Sequence, residues 1–180
     1  IGMLGKYAHL HRVEVLAYCL MPNHVHLVAV PAEEDSLHRA LRPLHMRYAQ
    51  RVNREQGWSG HLWQGRFFSS ALDEAYLRAA IRYVERNPVR AGLADVAEHY
   101  PWSSAAARCG LRRDPLLKGG SAWNESLADI VDWSAWLAGR EDAKANELLR
   151  RHAVQGLPCG SEAFVRGIEE AAGRELQPRC

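Results

Sequence analysis

Apolar and β-branched residues dominate Val13 to Leu20 and again His24 to Val30, on either side of Met21-Pro22-Asn23. Short apolar runs of this kind read as strands, and the Pro-Asn pair between them supplies turn chemistry. The pattern therefore predicts a hairpin whose second strand stops at Pro31. The period then changes. Leu37, Leu41, Leu44 and Tyr48 recur at helical spacing, which predicts a helix over about 37–56 with Ser36 as its N-cap and those four side chains facing the core. Pro43 falls inside that helix and reads as a kink or as its true start. Gly57-Trp-Ser-Gly60 reads as a loop, and the bulk of Trp63, Gln64, Arg66 and Phe67 predicts a strand from His61 to Ser70. Asp73 is the expected cap of a helix running to about Arg86. Asn87-Pro88 should end it, because the residue before proline avoids the helical region. Pro101-Trp-Ser-Ser104 predicts a further helical turn. Beyond Gly110 the pattern predicts short helices at Trp123 to Ala128, Ile130 to Gly139 and Glu141 to Arg151. A break at Gly156, Pro158 and Gly160 precedes a Ser161-capped amphipathic helix from Phe164 to Arg174. Residues 1 to 10 read as the tail of a helix. Strand and helix periods on one chain point to an α/β (α+β) fold with helices packed on a sheet.

Length and composition narrow this only a little. The 180 residues, 47% of them apolar, suit one domain with an appendage. No apolar run reaches the roughly 18 residues of a membrane span, so no membrane partner is expected. Four cysteines, at 19, 109, 159 and 180, form no Cys-x-x-Cys and read as reduced thiols of a cytoplasmic protein. The net charge of +2 hides an asymmetry. Residues 37 to 113 hold 13 arginines, no lysine and 6 acidic groups, whereas residues 114 to 180 hold 8 basic and 11 acidic groups. Arginine donates to phosphate in pairs through its planar fork, so the first segment suits a nucleic-acid face. A solvated helix surface is the competing reading for any one of these arginines.

The chemistry concentrates in two stretches. In Met21-Pro-Asn-His-Val-His-Leu-Val28, His24 and His26 stand two apart. On a strand they leave the same face, while Val25 and Leu27 leave the other, which makes the imidazoles a ready pair of ligands for one divalent ion. The competing reading is two half-buried histidines with hydrogen-bonded ring nitrogens. In Tyr83-Val-Glu-Arg-Asn87-Pro-Val-Arg90, the tyrosine and asparagine stand four apart and share one helix face. A metal-binding pair with a helical tyrosine suggests covalent phosphotyrosine chemistry on nucleic acid. Hydrolases with alternating histidines need a third at position 28, which is Val28. Phosphoesterases with two motifs need a His-x-Ser/Thr, and none is present.

The order MPNHVHLV, GHLWQGRF, YVERNPVRAGL, PWSS, covering about residues 10 to 105, resembles the REP-associated tyrosine transposases. These are relatives of the IS200/IS605 group of single-tyrosine HUH transposases. A weaker echo lies in Gly160-Ser-Glu-Ala-Phe164. The resemblance implies a ferredoxin-like central antiparallel sheet whose first strand this chain lacks. It implies a catalytic domain over residues 1–113 and a helical extension over 114–180. It further implies Tyr83 as nucleophile, His24, His26 and Asn87 as ligands of Mg²⁺ or Mn²⁺, and single-stranded or hairpin DNA, such as repetitive extragenic palindromes, as substrate. Relatives act as monomers or as homodimers.

Several side chains keep two readings. Asn87 serves as third ligand or simply caps the helix ahead of Pro88. Asn23 orients the His24 ring or contacts DNA. Arg66, Arg82, Arg86 and Arg90 are the expected phosphate or hairpin contacts. Trp63 stacks on an extruded base or packs in the core, with packing favoured; His61 is expected to have no acid–base role. Tyr18, Tyr48, Tyr76 and Tyr100 are expected to be structural. Two rival functions remain: a hairpin-binding protein that does not cut, and a metal-dependent hydrolase that transfers to water without a covalent stage.

Overall fold

The computed structural model describes residues 1–117 and 127–176. Among them the elements run α1 (Gly2–Leu10), β1 (Val13–Leu20), β2 (Val25–Pro31), α2 (Ser36–Gln56), α3 (Glu74–Glu85), α4 (Asn87–Arg90), a 3-10 turn (Ala97–His99), α5 (Ala105–Arg108), α6 (Trp133–Ala138), α7 (Ala143–Gln155) and α8 (Glu162–Ala172). This is the mixed α/β class that the two periods predict. β1 and β2 form a two-stranded antiparallel sheet, closed by a tight turn in which the Met21 N–H donates to the His24 carbonyl at 2.9 Å. The chain divides into two compact units, and the hairpin contributes to both.

The first unit contains Ile1–Leu16 and Ala29–Phe67, with the segment that starts at Asp114. Here α1 packs on α2, burying Leu4, Tyr7 and Ala8, the i, i+3, i+4 stripe of an amphipathic helix. Val15 of β1 forms an isolated parallel bridge with Leu117. α2 starts one residue earlier than expected: Asp35 takes the N-cap position, and the Ser36 hydroxyl accepts the Glu33 N–H at 3.1 Å. The helix runs through Pro43. Leu37, Leu41 and Leu44 are partly covered, but Tyr48 is 45% exposed. The Tyr48 ring lies beside that of Trp63, 5.8 Å between centroids. Glycine at Gly57 ends the helix in the left-handed region (φ 67°), as such a cap requires.

The expected strand from His61 to Ser70 is absent. Those residues form bends and irregular chain. Within this unit Trp63 lies on α2 instead: its indole N–H donates to the His45 carbonyl at 3.0 Å and its ring stacks on His45 at 4.4 Å. A bulky run between glycines thus finds a helix surface to cover and no strand to pair with. Arg66 is exposed in this stretch.

The second unit contains Ala17–Val28, Phe68–Arg113 and the described C-terminal helices. Its core includes Ala17, Tyr18 and Cys19 of β1, Ile81 and Val84 of α3, and Trp133, Leu137 and Leu149. The free edge of β1 is covered by the Trp102–Ser104 segment. Leu20 N–H donates to the Trp102 carbonyl at 2.8 Å, Ser104 N–H donates to the Tyr18 carbonyl at 3.0 Å, and Cys19 bridges Ser103 in antiparallel sense. α7 packs on α3. Two expected caps are seen in full: Asp73 accepts the Tyr76 N–H, and Ser161 accepts the Phe164 N–H. Asp73 has a second use, since its Oδ2 accepts the Ser161 N–H at 2.7 Å and so ties the start of α8 to the start of α3. The expected helix from Trp123 to Ala128 falls for the most part outside the described residues.

Candidate active site

The site lies in the second unit, between the hairpin turn and α3. His24 ends the turn and His26 is the second residue of β2. Their Nε2 atoms are 2.9 Å apart and their rings meet edge to face at 4.7 Å. Two ligands held about 2.1 Å from one octahedral ion at a right angle stand about 3.0 Å apart, so the pair has the spacing that a single cation requires. Asn23 supplies the partner that orients such a ring: its Oδ1 is 2.6 Å from His24 Nδ1. A proton on Nδ1 leaves the Nε2 lone pair of His24 open. Burial, reinforced by the charges of His24 and Arg90, pushes the His26 imidazole down to about 4. At neutral pH it is therefore uncharged, the form that binds metal.

Tyr83 approaches from α3. Its ring meets His26 edge to face at 5.7 Å, with planes 87° apart. Position along the helix follows from the sequence. Ala80, Ile81, Val84 and Glu85 form the buried face, and Tyr83 sits half-buried beside it. α3 ends at Arg86 because Pro88 has no N–H for the next rung. The chain then starts a new helical turn, Asn87–Arg90, with proline in its first turn. The helix expected to end at Asn87-Pro88 thus stops just before them, and Asn87 opens the next turn. Its side chain is buried and its Nδ2 donates to the Tyr83 carbonyl at 3.2 Å. That is a capping contact, and it uses the amide nitrogen, so the oxygen is the end that a cation could take.

The arginines around Tyr83 are all engaged within the unit. The Arg82 guanidinium stacks on Trp136 at 5.3 Å. Arg86 donates to the carbonyls of Leu137 and Gly139, and its Nε lies 3.0 Å from Glu141 Oε1 without the N–H being aimed at it. Arg90 lies over the Tyr83 ring at 4.1 Å. Arg66 belongs to the first unit. Among the described residues no three His, Cys, Asp or Glu side chains gather as a metal cluster, so a cation held here would rely on the two histidines, an amide oxygen, and ligands from solvent or substrate.

Sequence reasoning overlooked what lies behind the site. Glu85 is fully buried. Its Oε1 accepts from the Ser104 hydroxyl at 2.5 Å and its Oε2 from the Trp133 indole at 2.7 Å. The same Ser104 Oγ accepts the Tyr18 N–H of β1 at 3.0 Å. Burial pushes the Glu85 carboxyl up to about 7, while the bonds from Ser104 and Trp133 and the charge of Arg108 act the other way. A glutamate four residues after Ile81, in a helix's apolar stripe, was the signal available for it.

Residues 2–87 match the family model described as "Transposase IS200 like". A curated protein of Haemophilus influenzae named "Putative REP-associated tyrosine transposase" is 26% identical over 102 residues, 51% of this chain. The chain spans 58% of that relative's length. The solved structure of a REP-associated tyrosine transposase bound to a REP hairpin aligns with a TM-score of 0.49 at 21% identity, over 67% of this chain and 72% of that one.

Proposed function

We propose that this chain is an IS200-like transposase, a reading supported by the match of residues 2–87 to that family's model, and that it nicks and rejoins single-stranded DNA carrying an imperfect hairpin, through a covalent link to Tyr83. The observation that carries this reading is the cluster of three rings: two imidazole nitrogens 2.9 Å apart, and a phenol ring 5.7 Å from the nearer imidazole. A paired-nitrogen ligand set next to a hydroxyl nucleophile suits phosphoryl transfer, which depends mainly on positioning and charge. The name of the Haemophilus relative supports an extragenic palindrome as the hairpin.

His24, His26 and the Asn87 oxygen would hold Mg²⁺ or Mn²⁺. When bound, such an ion polarises a non-bridging oxygen of the scissile phosphate and offsets the charge that develops there. Tyr83 Oη attacks phosphorus. The Oη–P bond forms as the P–O3′ bond breaks, the phenolic proton leaves to solvent, and the departing O3′ takes a proton from solvent. The products are a 5′-phosphotyrosine and a free 3′-hydroxyl. Attack of a 3′-hydroxyl on that link reverses the step and reseals DNA without a nucleotide cofactor. Asn23 would hold the His24 ring with its Nε2 lone pair available for that ion. Arg66 and Arg82 contribute positive charge for the DNA backbone, whereas Arg86, expected from the sequence to share that role, faces Glu141 and the Leu137 and Gly139 carbonyls.

The test is incubation of labelled hairpin DNA with the chain and Mn²⁺, followed by a denaturing gel. A covalent protein–DNA band that vanishes in Tyr83→Phe is expected. Free cut product without that band would indicate a hydrolase. Intact DNA that shifts only on a native gel would indicate a binding protein.

A further inference from the structure

We infer that Arg90 is a positioning residue for the Tyr83 nucleophile, held in place by Glu141 of the C-terminal region, and that this role displaces any part it has in gripping the DNA backbone. The inference rests on Tyr83 being the nucleophile.

Three contacts define the arrangement. The Arg90 Cζ lies 4.1 Å from the centre of the Tyr83 ring. One terminal nitrogen, Nη2, donates to the Tyr83 main-chain carbonyl at 2.5 Å. The other, Nη1, donates to Glu141 Oε1 at 2.9 Å. The planar fork is thus committed at both prongs while its face covers the phenol. On an unbroken helix, residue 90 would stand about 10 Å along the axis from residue 83, so the side chain reaches back over the tyrosine to make these contacts.

Glu141 is itself fixed. It precedes Asp142, which caps α7 by accepting the N–H groups of Lys144 and Ala145 at 2.9 and 3.1 Å. Its second oxygen accepts the Asn146 amide at 3.1 Å. Its first oxygen faces both Arg86 and Arg90. The carboxylate therefore offers Arg90 a preset partner 51 residues away in the chain.

The consequence for chemistry is orientation. With a guanidinium on one face and the His26 ring meeting it edge to face, the phenol cannot turn freely, and the direction of its hydroxyl is set before DNA arrives. Lysine could supply the same charge but has neither the plane to lie on the ring nor the fork to bind a carbonyl and a carboxylate together. A guanidinium already paired with a carboxylate is also a weaker claimant for a DNA phosphate.

The test separates rate from affinity in the full chain. Adduct formation is timed under single turnover at saturating hairpin DNA with Mn²⁺, and affinity is measured by fluorescence anisotropy without metal. Wild type must give an adduct that Tyr83→Phe lacks; failure there removes the nucleophile reading itself. Given that adduct, Arg90→Lys should slow its formation by about tenfold or more, as misorientation of a reacting group does, with affinity within about twofold. Glu141→Gln, which leaves Arg90 in the chain, should also slow the step without weakening binding. Guanidinium ion added to Arg90→Ala should restore part of the rate. The inference is overturned if Arg90→Lys matches wild type in rate, if its defect lies in affinity alone, or if Glu141→Gln reacts faster than wild type.

Discussion

The ring of His26 meets the ring of Tyr83 edge to face, 5.7 Å between centroids. One belongs to the second strand of a hairpin and the other to the last turn of α3. Their meeting depends on the edge of β1, where the Ser104 hydroxyl joins the Tyr18 N–H to the Glu85 carboxyl. The candidate site is therefore set on a buried polar connection between strand and helix. Buried polar groups of this kind are costly to leave unmatched.

Ser104→Ala tests that connection. It strips a partner from the Tyr18 N–H and from Glu85 at a residue with 0% exposure. A loss of about 1–3 kcal/mol in unfolding free energy is expected. Urea denaturation with an unchanged slope and a lower midpoint would show it; an unmoved midpoint would mean that the hydroxyl contributes nothing.

Glu85 gives the fold a pH signature. Its carboxyl is raised from an ordinary value of 4.5 to about 7, so between those values the folded state keeps a proton that the unfolded chain releases. The stability linked to this group is greatest below pH 4.5, falls as pH rises through 7, and is level above. His26 acts oppositely: lowered from 6.5 to about 4, it contributes stability present above 6.5 and lost as pH falls towards 4. Glu85→Gln should remove the first effect alone. The unfolding free energy of wild type minus that of the variant should drop by on the order of 3 kcal/mol between pH 4.5 and 7.5. Parallel curves for the two proteins across that range would refute the assignment.

Asn23 and the metal can be examined without DNA. Asn23 Oδ1 sits 2.6 Å from His24 Nδ1, the place from which an outer partner orients a ligating ring. Asn23→Ala should weaken Mn²⁺ binding by roughly 10- to 100-fold, and His26→Ala should weaken it further. Calorimetry or manganese EPR on the Tyr83→Phe protein reads this directly. Equal affinity in Asn23→Ala and its parent would assign Asn23 elsewhere.

Salt dependence tests the arginines. Replacing Arg66 and Arg82 with alanine should flatten the slope of log affinity for hairpin DNA against log salt by about 1.5, the share of two phosphate contacts. An unchanged slope would remove both from the DNA face.

Local chemistry was readable in the chain because it depends on residues close in sequence. Period two predicted that His24 and His26 face one way, and their rings do meet, although His24 stands just ahead of β2. Asp73 and Ser161 could be named as caps because a short polar side chain ahead of an amphipathic run has only neighbouring N–H groups to serve. The mixed α/β class followed from the same periods. Two local readings missed for reasons of context. His61 to Ser70 carries the bulk of a strand but pairs with nothing, and Trp63 covers α2 instead. Tyr48 keeps its helical register but is 45% exposed, with the Trp63 ring beside it in place of a core.

Tertiary structure alone decided the rest. Nothing in the spacing of residues relates Glu141 to Arg90, Trp133 to Glu85, or His26 to the ring of Tyr83. Each pair meets because separate elements bury their apolar faces together, and burial does not specify in advance which polar groups will then face one another. The chain determined which side chains could do chemistry; packing determined which of them stand within reach.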